Sequence, residues 1–110
     1  GYMQRSNHSA LYQQLKAMSP WEVHIDARAV DQLEAWLVLM PQLETFFTDR
    51  LMRGLTAFPP DLRFFTDPEM SWGNPWIWVT ITQGHVRVRI KAEYRVHEKV
   101  CWIVELHPAA

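Results

Sequence analysis

Arg87, Arg89, Lys91, Glu93 and Arg95 occupy every second position of HVRVRIKAEYRV (85–96), and Glu105 and His107 close the run VCWIVELH (100–107). Alternation at period two is that of a β-strand, whose successive side chains point to opposite faces. The basic groups then form a ladder on one surface, with Val86, Val88, Ile90, Ala92, Tyr94 and Val96 on the other. Cleavage of RNA by its own 2′-hydroxyl needs a base, an acid and a cation that stabilises the charged phosphorane. Histidine and glutamate trade protons near neutral pH, whereas arginine stays charged. Arg89, Glu105 and His107 are therefore the candidate catalytic residues. Arg87, Lys91 and Arg95 are candidate phosphate contacts, and Trp76 and Trp78 candidate platforms on which bases stack, at about 1–3 kcal/mol each.

A plainer reading uses the same residues. Cross-strand Lys–Glu and Arg–Glu pairs are common on solvated sheet faces and each adds a fraction of a kcal/mol. Trp76 and Trp78 could cover a second small core, and His107 could be an exposed strand-end residue. Other chemistries find no support. His8, His24, His85 and His97 have no metal-ligand spacing. There is no glycine-rich phosphate loop and no serine nucleophile motif. Neither a metal nor a cofactor is expected.

The elements that must position these residues follow from pattern. SALYQQLKAM (9–18) has helical spacing behind Ser9, a candidate N-cap, and Ser19 and Pro20 end it. WEVHID (21–26) alternates as a short strand. Asp26 then caps a helix with Val30, Leu33, Leu37 and Met40 on its buried stripe. Pro41 kinks this helix or opens a second, in which Leu43, Phe46, Phe47, Leu51, Leu55 and Phe58 face inward. Residues 59–75, with four prolines, read as a long structured loop.

Three strands follow, over 76–82, 85–96 and 100–107. A turn at Gln83 and Gly84 would set Thr80 opposite Arg87 and Trp78 opposite Arg89. If Val96 faces Val100 across the next turn, Lys91 lies opposite Glu105 and Arg89 opposite His107. The apolar face would then carry Ile77, Val79, Ile81, Val88, Ile90, Val100, Trp102, Val104 and Leu106. The fold class expected is α+β: an N-terminal strand and a helical hairpin packed on an antiparallel sheet that ends in a three-stranded meander. Residues 1–20 form an N-terminal extension with a short helix, placed to cover a sheet edge or support a homodimer, and residues 21–110 form a single domain.

Composition bounds the function. The chain has 110 residues, 48% of them hydrophobic, with a net charge of −1. It is not a protein coated in positive charge, so any polyanion surface must come from segregation. Segregation is present: residues 83–96 hold four basic side chains and one acid. No apolar run approaches the roughly 18 residues of a membrane span. Cys101 stands alone, which together with the lack of a signal-peptide pattern points to the cytoplasm.

EYRVHEKVCWIVELHPA (93–109) resembles the closing hairpin of the RelE/ParE toxin superfamily of bacterial toxin–antitoxin systems. The matching residues are Arg89, Tyr94, Arg95, Val96, the turn at 97–99, Leu106 and His107. The order strand, two helices, three strands is also that of the family. The resemblance implies a toxin with a cognate antitoxin protein as partner, the antitoxin laying a helix or strand along the basic face or a sheet edge. RelE-like members cut mRNA on the ribosome, with a middle-strand arginine and in some a glutamate and a C-terminal histidine. On that branch the chain is an endoribonuclease, with Arg89 and His107 at the matching positions. ParE-like members poison DNA gyrase and have no hydrolytic centre; Lys91 and Glu93 stand where those are usually apolar.

Overall fold

A computed structural model describes residues 2–18, 20–71 and 73–109, without the side chains of residues 2–9, Leu43, Phe46 and Ala109. The chain begins with helix α1 (Tyr2–Ala17), which starts well before the expected Ser9. Nothing in YMQRSNH breaks a helix, since it has neither glycine nor proline, and Ser9 lies inside the helix rather than at its cap. Leu15 of α1 is fully buried, and its carbonyl accepts a hydrogen bond from the Trp21 indole at 3.2 Å.

Strand β1 (Glu22–Ile25) leads through Asp26 into helix α2 (Ala27–Leu39). Asp26 caps as its sequence promised: its φ/ψ of −61°/146° is extended, and its carboxylate accepts from the Arg28 amide at 3.0 Å. The buried stripe of α2 is centred on Ala29 and Trp36, with Leu33, Leu37 and Met40 half-buried beside them. Pro41 opens a 3₁₀ turn (Pro41–Leu43) that feeds helix α3 (Glu44–Leu55). Phe47, Leu51 and Leu55 of α3 are buried, as is Phe58 beyond it, and Trp36 meets Phe47 edge to face at 5.4 Å. The inward positions read for Leu43 and Phe46 lie outside the described side chains.

The segment 59–75 is not all loop. After a 3₁₀ turn (Leu62–Phe64) it forms strand β2 (Thr66–Ser71), followed by β3 (Trp76–Gln83), β4 (Val86–Arg95) and β5 (Val100–Ala109). Pro68 argues against a central strand, but an edge strand tolerates a residue without an N–H. β2 is such an edge. The sheet order is β1-β5-β4-β3-β2, with β1 parallel to β5 and the other pairs antiparallel. The fold is therefore α+β with a five-stranded mixed sheet, rather than an antiparallel one. No helix among the described residues is long and apolar enough to cross a membrane.

Two registers differ from the sequence pattern. The β3–β4 turn uses Gly84 and His85, which pairs Thr80 with Arg89 and Trp78 with Lys91. Gly84 has φ +60°, the glycine position of a type II′ turn, and the two-residue shift leaves every side chain on its expected face. Between β4 and β5 the ladder closes with Arg95 opposite Val100, not Val96, and Lys99 takes φ +60° in the turn. A bulge opposite Lys91 and Ala92 then inserts Val104 and restores Lys91 opposite Glu105 and Arg89 opposite His107.

The bulge has a consequence for the core. Before it, Cys101 and Ile103 face inward, both fully buried, while Trp102 turns outward; after it, Leu106 faces inward. The expected inward positions of Trp102 and Val104 are thus reversed. Tyr94, opposite Cys101, is boxed by Trp21 at 4.9 Å and Phe58 at 5.1 Å, and its hydroxyl donates to the Ala57 carbonyl at 3.3 Å. Burial pushes both the Tyr94 phenol and the Cys101 thiol well above their ordinary ranges, so neither ionises in the folded chain.

Candidate functional site

The open face of the sheet is assembled in rows across the strands. One row holds His107, Arg89 and Thr80; the next holds Glu105, Lys91 and Trp78; a third holds His24, Trp102, Glu93 and Trp76. The expected candidates thus share one face, and directly paired strands bring Arg89 beside His107 and Lys91 beside Glu105.

His107 and Glu105 form a contact pair, with Nε2 3.0 Å from Oε1. A carboxylate only accepts, so the ring hydrogen is on Nε2, and in the neutral ring Nδ1 carries the lone pair. The imidazole is stacked on Trp78 at 6.0 Å and 25° between planes. Lys91 Nζ lies 3.9 Å from the other oxygen of Glu105 and over both indoles, 5.8 Å from Trp76 and 5.9 Å from Trp78. Such cation–π contacts add about 0.5–1 kcal/mol at exposed sites and orient the ammonium over the rings.

Beside this cluster runs a groove of about 360 Å³ bordered by Arg28, Lys91, Glu93, Arg95, Glu105 and His107. Its wall exists because α2 replaces β1 as the neighbour of β5. The Asp26 amide donates to the Ile103 carbonyl at 2.8 Å, and the Leu106 amide donates to the Gln32 side chain at 3.3 Å. The N-terminal turns of α2 therefore stand over the strand that carries Glu105 and His107.

No protein-family model, curated protein or solved structure matches this chain. The chemistry must be read from the side chains themselves.

Each cation of the ladder already has an acid. Arg87 meets Asp67 at 3.3 Å, Arg89 meets Glu69 at 3.2 Å, and Arg95 lies 3.9 Å from both Glu93 and Glu98. Arg89 is held most firmly, because its Nη1 also donates to the Thr80 hydroxyl at 3.1 Å and to the Asp67 carbonyl. Its guanidinium sits 5.8 Å from the Trp78 ring. The face is thus charge-balanced rather than strongly positive. Exposed ion pairs are worth only about 0–1 kcal/mol, so an incoming anion can exchange for the carboxylates on Arg87 and Arg95 at little cost, and for the one on the half-buried Arg89 at a greater one.

Sequence pattern missed three members of the face. Asp67 and Glu69 lay in a segment read as loop. Trp102 was placed inward, yet its indole donates to Glu98 at 2.9 Å, lies 5.1 Å from the His24 ring and sits under the Arg95 guanidinium at 5.0 Å. VCWIV is apolar at every position, so alternation could not fix which residues face out. Among the described residues, no group of three or more His, Cys, Asp or Glu side chains could hold a metal ion.

Proposed function

We propose that the open sheet face binds single-stranded RNA and that Glu105 and His107 move the proton of strand cleavage there. This is the activity of a RelE-like toxin acting in the cytoplasm on mRNA at the ribosome and checked by a cognate antitoxin protein. The observation that carries the reading is the hydrogen-bonded Glu105–His107 pair beside Lys91, Trp78 and an open groove. Glu105 fixes the imidazole so that Nδ1 takes the proton of a 2′-hydroxyl, whose oxygen bonds phosphorus, and the imidazolium so formed returns the proton to the 5′-oxygen as it leaves. Lys91 and Arg89 supply the positive charge that the phosphorane needs. Arg87 and Arg95 hold flanking phosphates, and Trp76 and Trp78 stack bases. The family order of strand, two helices and three strands is contained in this chain, with α1 added before it and β2 inserted between α3 and β3.

The test is cleavage of mRNA on programmed ribosomes by the purified chain, together with growth arrest on expression. His107→Ala is expected to abolish both, and Glu105→Gln to reduce cleavage about 100-fold or more, the usual range for a lost general acid–base group. Undiminished activity in both variants, or in Arg89→Ala together with His107→Ala, rules out this centre.

One observation favours a second reading. Arg89 spends its hydrogen bonds on Glu69, Thr80 and Asp67, which suits a face that binds without catalysis, as a ParE-like toxin directed at DNA gyrase or another protein would. Inhibition of gyrase supercoiling by the chain, without RNA cleavage, would select it.

A further inference from the structure

The Arg87 and Arg89 side chains are held by a single short segment of β2. β2 is the outer strand, and every residue from Thr66 to Met70 is exposed. Its ladder with β3 is irregular where the acids sit: Thr66 pairs with Thr80 and Glu69 with Trp78, and the register shifts between them. Pro68 has no N–H to give, and Asp67 has φ +50°, a left-handed conformation that costs a non-glycine residue free energy. From this irregular stretch Asp67 reaches Arg87, while the Asp67 carbonyl and the Glu69 carboxylate grip Arg89. An irregular stretch of edge strand placing two carboxylates on two guanidinium groups does what two phosphates would do.

We propose that β2 is a built-in competitor for the RNA backbone: Asp67 and Glu69 occupy Arg87 and Arg89 in the free chain, and binding requires phosphates to displace them. This presupposes the RNA-binding reading of the face and adds its regulation. The device keeps the arginines off weak or sparse anions and yields to a polyanion that reaches both at once. It makes Arg89 available only when a strand already lies across Arg87, which couples seating of the RNA to exposure of the cation beside His107.

The test uses a fluorescein-labelled single-stranded RNA decamer and fluorescence anisotropy across a salt series. The chains compared are wild type, D67N/E69Q, Glu69→Gln alone, and D31N/E34Q, which removes the same two charges from the exposed side of α2. The competitor predicts binding roughly 3- to 10-fold tighter for D67N/E69Q, from two exposed pairs no longer to be broken. It also predicts a salt slope steeper by up to about 1.4, or about 0.7 for each of two phosphates gained without a carboxylate released. Glu69→Gln, a change at an exposed side chain, should give part of the gain, and D31N/E34Q markedly less. Binding by the double variant alone supports the same conclusion. Unchanged or weaker binding by D67N/E69Q and Glu69→Gln overturns the competitor while leaving the RNA reading intact. Equal tightening in D31N/E34Q overturns it too, since bulk charge then explains the effect. No binding by any of the four chains overturns the RNA reading and the competitor together.

Discussion

Gly54→Ala sets two known magnitudes against each other. Gly54 is the next-to-last residue of α3, where alanine should gain up to about 1 kcal/mol from helix propensity. The structure opposes it. A Cβ built at Gly54 would overlap Cε2 and Cζ of Phe65 and crowd Cδ2. That ring is 7% exposed within the core and cannot swing into solvent without loss of buried area. Over-packing of this kind costs about 1–3 kcal/mol. The backbone cannot absorb it cheaply either, because the Gly54 carbonyl accepts the Asp61 amide at 2.9 Å and ties the helix end to the following loop. The net expectation is destabilisation by roughly 1–2 kcal/mol.

Urea unfolding of the wild type, G54A, F65L and G54A/F65L forms a double-mutant cycle. With the ring gone, alanine should become neutral or slightly stabilising, for a coupling of about 1–3 kcal/mol. Stabilisation by G54A alone, with no coupling to Phe65, would refute the close approach of α3 to this ring. The site is not merely structural. Phe65 immediately precedes Thr66, so its seat in the core sets where β2 begins and where Asp67 and Glu69 fall.

Three further outcomes follow from the core. Ile103→Ala should cost about 2–5 kcal/mol as a fully buried deletion, and the half-buried Val104→Ala clearly less; the reverse order in urea unfolding would mean that β5 has no bulge. Tyr94→Phe should cost about 0.5–1.5 kcal/mol by leaving the Ala57 carbonyl without its donor, and a neutral result would remove that hydrogen bond from the account. Cys101 should resist a thiol reagent at neutral pH and at pH 9 until the chain unfolds, because burial raises its pKa in the folded state; labelling at the rate of a free cysteine would show that the strand opens locally.

The faces of β4 were legible because its apolar and polar residues alternate strictly, those of β3 followed from Thr80, Ile81 and Thr82, and a two-residue register error left those faces unchanged. Asp26 was legible as a cap because capping is a local interaction. β5 was not, since VCWIV offers no alternation and the bulge is chosen by packing against β1 and α2. The pairs Arg89–His107 and Lys91–Glu105 emerged correctly although the turn register assumed for them was off by one, because the bulge supplied the missing residue. β2 was hidden by Pro68 and the prolines on either side of it, since proline marks a loop in a sequence but is also compatible with a sheet edge. With β2 went the two acids that change the electrostatic reading of the whole ladder.

On the proposed RNA-binding reading, that neutralisation decides where the affinity must come from. Exchanging a carboxylate for a phosphate on each arginine is close to balanced, since the exposed pairs being broken and made are each worth about 0–1 kcal/mol. Net affinity then rests on bases stacked on Trp76 and Trp78 at about 1–3 kcal/mol each, offset by the lighter contacts that His107 and Lys91 make with those rings in the free chain. A duplex hides those base faces while presenting a denser row of phosphates. A surface driven by its cations would prefer the duplex; this one should prefer the unpaired strand. The expectation is at least a tenfold advantage for a single-stranded decamer over its duplex, equivalent to about 1.4 kcal/mol or one good stack. Trp78→Ala should remove most of that advantage while barely affecting duplex binding. A duplex bound as tightly as the single strand, with no response to Trp78→Ala, would mean that the indoles serve only to position Lys91 and His107 and that the phosphates alone hold the RNA.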